Sequence, residues 1–227
     1  MRKLVCAGEQ KRKTLSFGCN NHPYMNKIKN IVFDYGAVLV DWNPHHLYDP
    51  YFGSKEKADW FLKNICPDEW NFQMDRGKPF AEAIAELIPE HPEWEKEIRM
   101  YFDRWIDMMG DETPGMQDLI RRLKAAGYGV YGLTNWSAET FCQVRNKYVI
   151  FSLMDGMVVS GEERVVKPEA AIYRLLMERY GLRAEESVFV DDRQPNVDGA
   201  LSVGMDGILF RDATQLEVAL KAKGLVF

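Results

Sequence analysis

Cysteine and histidine are scarce in this 227-residue sequence, with four of each and none at a metal-ligand spacing. Cys6, Cys19, Cys66 and Cys142 form no C-x-x-C pair. That argues against a zinc ribbon or a disulfide framework and for reduced thiols in a cytoplasmic protein. His22, His45, His46 and His91 are equally dispersed, and the pair at 45–46 suits the exposed start of a helix. No segment reaches the roughly 18 apolar residues of a membrane-spanning helix. Nor is there a basic cluster long enough to follow a nucleic-acid backbone, and the net charge is −5. An extended nucleic acid and a membrane are therefore not expected partners. A small anionic ligand in a local site stays open.

What remains is an ordinary globular composition, 46% hydrophobic and 28% charged. The length fits one large domain, or a core with an insert, able to bury roughly 70–75% of its unfolded surface. Residues 1–24 are basic and irregular and stop just before Met25. Their "LVCAG" is too short for a signal peptide. They read as a loose extension, with Met25 a candidate initiator in place of Met1.

Four apolar runs read as strands: "NIVFDYG" at 30–36, "GVYGLTN" at 129–135, "SVFVDD" at 187–192 and "GILF" at 207–210. Helical patterns alternate with them, at 115–127, at 168–181 (opening on Pro168), in "QPNVDGALSVG" and in "DATQLEVALKAKG". The alternation predicts an α/β fold, a parallel sheet covered on both faces, with ligands at the carboxyl ends of its strands. The first three strands end in Asp34, in Thr134 and Asn135, and in Asp191 and Asp192. In one sheet these polar ends converge on one crevice. Residues 43–113 break the alternation and read as helices throughout, a lid-like insert of roughly 70 residues whose aromatics suit its own core. "GYGVYG" at 127–132 matches G-x-G-x-x-G, but it follows a helix and its second half is itself strand, so it is no dinucleotide fingerprint.

These residues resemble the haloacid dehalogenase superfamily of hydrolases over about 28–215. "DYGAV" at 34–38, "GLTN" with Thr134, "VVKPEAAIY" with Lys167 and "FVDDRQPNVDGA" with Asp191 and Asp192 match its four motifs in order. "DRGKPFAEA" at 75–83 and "LTNWSAETF" at 133–141 are similar to phrases of the branch with glucose-1-phosphate phosphatases and the phosphatase domain of soluble epoxide hydrolase. The resemblance implies a Rossmann-like three-layer core (28–42 plus 114–227) and a helical cap (43–113). It also implies a cytoplasmic phosphatase acting on small phosphorylated metabolites, sugar phosphates first. Asp34 would attack phosphorus to form an aspartyl-phosphate. Two anions about 4 Å apart repel by roughly 4 kcal/mol at an effective dielectric near 20. Mg²⁺ is the natural counter-charge, held by Asp34, the Gly36 carbonyl, Asp191 and Asp192. Thr134 and the Asn135 N–H would cradle phosphate oxygens, and Lys167 would neutralise the transferring group.

One position departs from that pattern. Family phosphatases carry a second Asp as general acid where this chain has Gly36. Glycine transfers no proton, a contribution usually worth ~10²–10⁴-fold. A 2-haloacid dehalogenase, in which Asp34 attacks carbon, needs no such acid but uses a halide-ejecting arginine, for which Arg76 is the candidate. The Asp191–Asp192 pair favours the phosphatase, since two adjacent carboxylates in a crevice call for a cation. A third reading is a fold kept for ligand binding alone. Asp41, Trp42, Asn43 and Trp136 lie near the strand ends and would either touch substrate or pack the hinge of the insert.

Overall fold

A computed structural model describes residues 28–227; the extension at 1–24, Cys6, Cys19 and His22 lie outside the described residues. Five short strands make the central sheet: β1 (Asn30–Phe33), β4 (Gly129–Thr134), β5 (Gly156–Val159), β6 (Ser187–Asp191) and β7 (Asp206–Leu209). All pairings are parallel, in the order β5-β4-β1-β6-β7. Alternate side chains face opposite layers, as the two-residue period of a strand requires. Ile31, Phe33, Val188 and Val190 join one buried cluster with Met116, Ile120 and Leu123 of α6 (Met116–Ala125), Phe141 of α7 (Ala138–Val144) and Leu216 and Leu220 of α11 (Ala213–Ala222). Val32, Leu133, Val158 and Phe189 join the other with Ile172, Tyr173 and Leu176 of α9 (Ala170–Tyr180) and Ala200 of α10 (Gln194–Ser202). The result is a three-layer α/β/α sandwich with β1 at its centre. The chain extends the sheet on one side of β1, through β4 and β5, and then on the other, through β6 and β7. Strand order therefore reverses at β1, and the crevice beyond its carboxyl end is where such sheets bind ligands.

Between β1 and β4 the chain leaves through β2 (Val40–Trp42) and returns through β3 (Met109–Glu112), an antiparallel ribbon pairing Val40 with Glu112 and Trp42 with Met109. The helices α1 (His45–Phe52), α2 (Lys55–Asn64), α3 (Asp68–Asp75), α4 (Phe80–Leu87) and α5 (Glu95–Asp103) lie between these two strands. Their interior is aromatic: Tyr48 lies 4.8 Å from Phe61, and Trp70 meets Tyr101 edge-on at 5.1 Å. The segment touches the core through side chains of its own, among them Arg76 paired with Glu169 at 2.5 Å.

Some local readings need correction. β5 is a strand that no sequence signal singled out, because its four residues sit in a longer apolar stretch with no period-two alternation. Residues 43–113 are not helical throughout: 92–110 breaks into short turns about α5, and Met109 and Gly110 are strand. Pro168 does not open α9, which begins at Ala170; the Lys167–Pro168 bond is cis. A four-residue helix, α8 (Ser160–Glu163), follows β5.

Candidate active site

The carboxyl ends of β1, β4 and β6 put charged and polar groups at the crevice. Asp34 follows β1 directly, and the chain then turns tightly: Ala37 takes a left-handed conformation, φ 59°, and its N–H donates to the Val40 carbonyl. A non-glycine residue there carries strain of order 1 kcal/mol. The turn holds Gly36 and Ala37 on the crevice wall. From β6 come Asp191, fully buried, and Asp192, exposed. Lys167 arrives from the loop before α9 and is also fully buried. Its Nζ lies 2.8 Å from Asp34 Oδ1 and 2.7 Å from Asp191 Oδ2. Asn135, past the end of β4, fixes that lysine through its backbone: its amide accepts from the Lys167 N–H (2.8 Å) and donates to the Lys167 carbonyl (3.0 Å). Asn196 of α10 donates to both Asp191 oxygens (3.0 and 3.1 Å), and the Arg193 N–H donates to Asp191 Oδ1 (2.8 Å).

This buried triad is electrostatically lopsided. Burial, with Asp191 and Asp192 nearby, pushes the Asp34 carboxyl up to about 7 although Lys167 pulls it down. Burial and Asp191 likewise raise Asp192. Burial works against the Lys167 ammonium, but Asp34 and Asp191 outweigh it and hold its pKa above the ordinary value. The cavity over the triad, about 400 Å³, is lined by Asp34, Asp68, Asp75, Asp192, Lys167 and Arg193 among others. Four carboxylates against two cations, with Asp191 beneath, repel a phosphate dianion unless a further cation is present. Oxygen atoms of Asp34, Asp191 and Asp192 all lie within 4.8 Å of one another, an all-oxygen donor set suited to a hard divalent ion such as Mg²⁺.

Beside this cavity a narrow recess of about 60 Å³ opens between Trp42, Trp105 and Trp136, with Asn71, Asp75 and Thr140. Among the described residues, three buried side-chain atoms lack a hydrogen-bond partner: Thr134 Oγ1, Trp42 Nε1 and Trp136 Nε1. Trp42 and Trp136 line this recess, and Thr134 ends β4 next to Asn135, which lines it too. Unpaired buried polar atoms cost roughly 1–3 kcal/mol each.

Of the residues singled out in the sequence, Asp34, Gly36, Asn135, Lys167 and Asp192 line the cavity, with Thr134 and Asp191 just behind it. Trp42 and Trp136 line the recess. Asp41 is not brought in. It alternates with Val40 and Trp42 along β2, so its carboxylate turns away, accepts from His46 Nε2 at 2.7 Å and crowds Gly110. Asn43 stands just before α1, its Oδ1 accepting from the His45 N–H at 3.0 Å. Arg76 is half-exposed in its ion pair with Glu169 and lines neither space, so no arginine of the helical segment faces Asp34 in the way a halide-ejecting residue would. Asn71, Asp75, Trp105, Arg193 and Asn196 were missed. Arg193 directly follows the acidic pair and Asn196 lies four residues beyond it, both within reach of a reading that followed the chain into α10.

Residues 61–210 match the sequence pattern of the haloacid dehalogenase-like hydrolases. The chain belongs to that family. The match begins inside α2, so β1 and Asp34 lie before it and enter the family site through the sheet. A sesquiterpene phosphatase of Aspergillus oryzae is 31% identical over 186 residues, 82% of this chain and 91% of the relative. A phosphorylated carbohydrates phosphatase of Thermotoga maritima is 21% identical over 182 residues, 78% of this chain and 82% of that one. Among solved structures, a family enzyme of Bacteroides thetaiotaomicron in complex with magnesium superposes with a TM-score of 0.66 at 21% identity, covering 86% of this chain and 99% of the other. The three-layer sandwich is thus that of the haloacid dehalogenase-like hydrolases, and the chain is a hydrolase.

Proposed function

We propose that the protein is a phosphatase, hydrolysing monoesters of small phosphorylated metabolites through an aspartyl-phosphate on Asp34. The observation that carries this reading is the buried triad in which Lys167 bridges Asp34 and Asp191. It holds the Asp34 carboxylate in place while an ammonium stands ready for the oxygens of a transferring group. Mg²⁺, held by Asp34, Asp191, Asp192 and the Gly36 carbonyl, would supply the missing positive charge and orient the phosphate. Asp34 attacks phosphorus as the bond to the leaving oxygen breaks. Thr134 Oγ1 and the Asn135 N–H are the donors for the phosphate oxygens. Water then attacks the phosphorus of the aspartyl-phosphate and frees phosphate and Asp34.

Sugar phosphates are the substrates we infer first. Asp68, Asp192 and Asn71 offer acceptors to hydroxyl groups, and the tryptophan faces suit the C–H side of a sugar ring. A purely hydrocarbon leaving group would bury those polar groups without partners. The sesquiterpene phosphatase likeness motivates a second reading, a terpenyl phosphate with its chain over Phe72 and the tryptophans. The test is phosphate release from sugar phosphates, a terpenyl phosphate and 4-nitrophenyl phosphate, with Mg²⁺ and with EDTA, for wild type and Asp34→Asn. Mg²⁺-dependent release, lowered at least ~10⁴-fold in the variant, is expected. Halide release from 2-chloropropionate without phosphate release would overturn the reading.

A further inference from the structure

We propose that Asp75 is the proton donor that Gly36 cannot be, delivered to the crevice from the helical segment rather than from the nucleophile loop. The inference rests on the phosphatase reading above. Asp75 ends α3, and its carbonyl accepts from Ser160 Oγ at 2.6 Å. The same hydroxyl accepts from the Trp136 N–H at 2.9 Å, so the end of α3 is tied to the loop beyond β4. Gly36, Trp42, Asn71, Asp75 and Asn135 line both the cavity over Asp34 and the tryptophan recess, and Asp75 is the one ionisable side chain among them. An ester with phosphorus against Asp34 and its alcohol across the mouth of the recess has its bridging oxygen at that boundary. Asp75 also stands outside the trio of Asp34, Asp191 and Asp192, so it is not needed for charge at the phosphate.

The space a second aspartate would use is open, since a Cβ built on Gly36 meets no atom within 4 Å. Burial raises the Asp75 carboxyl to about 7, with Asp68 adding to it; the Ser137 N–H, Lys167 and Arg193 act in the other direction. The Asn71 amide (3.4 Å) and Tyr101 of α5 complete the groups facing it. A carboxyl that still carries its proton near neutrality is suited to general-acid work.

The proton balance closes over the two half-reactions. As the Asp34 oxygen bonds to phosphorus and the P–O bond to the alcohol breaks, the alcohol oxygen takes the Asp75 proton. As water attacks the aspartyl-phosphate, its proton returns to the Asp75 carboxylate, and the sum is ester plus water giving alcohol plus phosphate.

The experiment compares 4-nitrophenyl phosphate, whose leaving group departs without a proton, with whichever sugar phosphate wild type turns over fastest. Asp75→Asn should lose ~10²–10³-fold in kcat/KM on the sugar ester and less than ~5-fold on the nitrophenyl ester. The wild-type decline on the sugar ester as pH rises past about 7 should vanish with it. Adding Gly36→Asp to Asp75→Asn should recover at least ~10-fold on the sugar ester alone. Nitrophenyl turnover reports that the variants are folded. Equal losses on both esters, or no loss on the sugar ester, would overturn Asp75 as donor while leaving the phosphatase reading intact. A wild type inactive on every ester would overturn the phosphatase reading, and this one with it.

Discussion

The floor of the crevice and its tryptophan wall handle buried polarity in opposite ways. On the floor most polar groups are paired, Thr134 Oγ1 excepted: Lys167 bridges two carboxylates, and Asp191 receives Asn196 and the Arg193 N–H as well. On the wall, Trp42 and Trp136 bury indole N–H groups that meet nothing. A paired network is rigid and suits chemistry that never varies, in the function proposed above the attack on phosphorus. Unanswered donors wait for a partner from outside, and suit recognition of the part of a substrate that does vary.

Breaking the floor should have the largest effect. Lys167→Met leaves Asp34 and Asp191 as buried like charges and should cost about 3–5 kcal/mol in urea unfolding, with turnover lost besides. An unchanged midpoint would mean that the carboxylates are neutral without their lysine.

An intermediate effect sharpens the contrast between the triad and Asp75. Both Asp34 and Asp75 have folded-state pKa values of about 7, raised from 3.8. The folded state therefore binds more protons than the unfolded state between those values. Stability is present in full below about pH 4 and is lost as pH rises through 7. Metal-free protein should melt roughly 10 °C lower at pH 7.5 than at pH 5, other titrations aside. Asp75→Asn should flatten that slope in part, and a slope of the opposite sign would refute the burial argument.

The smallest effect belongs to the wall. Trp136→Phe keeps an aromatic ring and deletes an unpartnered donor, so free-protein stability should change by no more than about 1 kcal/mol and in the favourable direction. KM for the preferred substrate should rise several-fold with kcat nearly unchanged, because the lost bond is one made in ground state and transition state alike. A fall in kcat instead would assign the indole to the chemistry.

Much of the floor was legible before any coordinates, because strands announce where they end. Asp34, Thr134 and Asp191 each close an apolar run that can only be a buried parallel strand, and parallel strands bring such ends to one edge. Lys167 came with the motif before its helix. The wall was legible only in part. Trp42 and Trp136 stood out by their place near the strand ends, but Trp105 looked no different from Trp60, Trp70 and Trp94, which pack within or upon the helical segment. Asp41 was as good a candidate as Trp42 until the one-residue alternation of β2 sent the two to opposite sides.

By itself, then, the sequence determined the sandwich and the charged floor of the crevice, since both follow from local periodicity and from which residues terminate it. Only the tertiary structure decided what stands opposite. Whether Asp75 or Arg76 faces Asp34 depends on how α3 docks against Ser160 and Glu169, contacts 85 and 93 residues away along the chain, and no local pattern encodes that rotation.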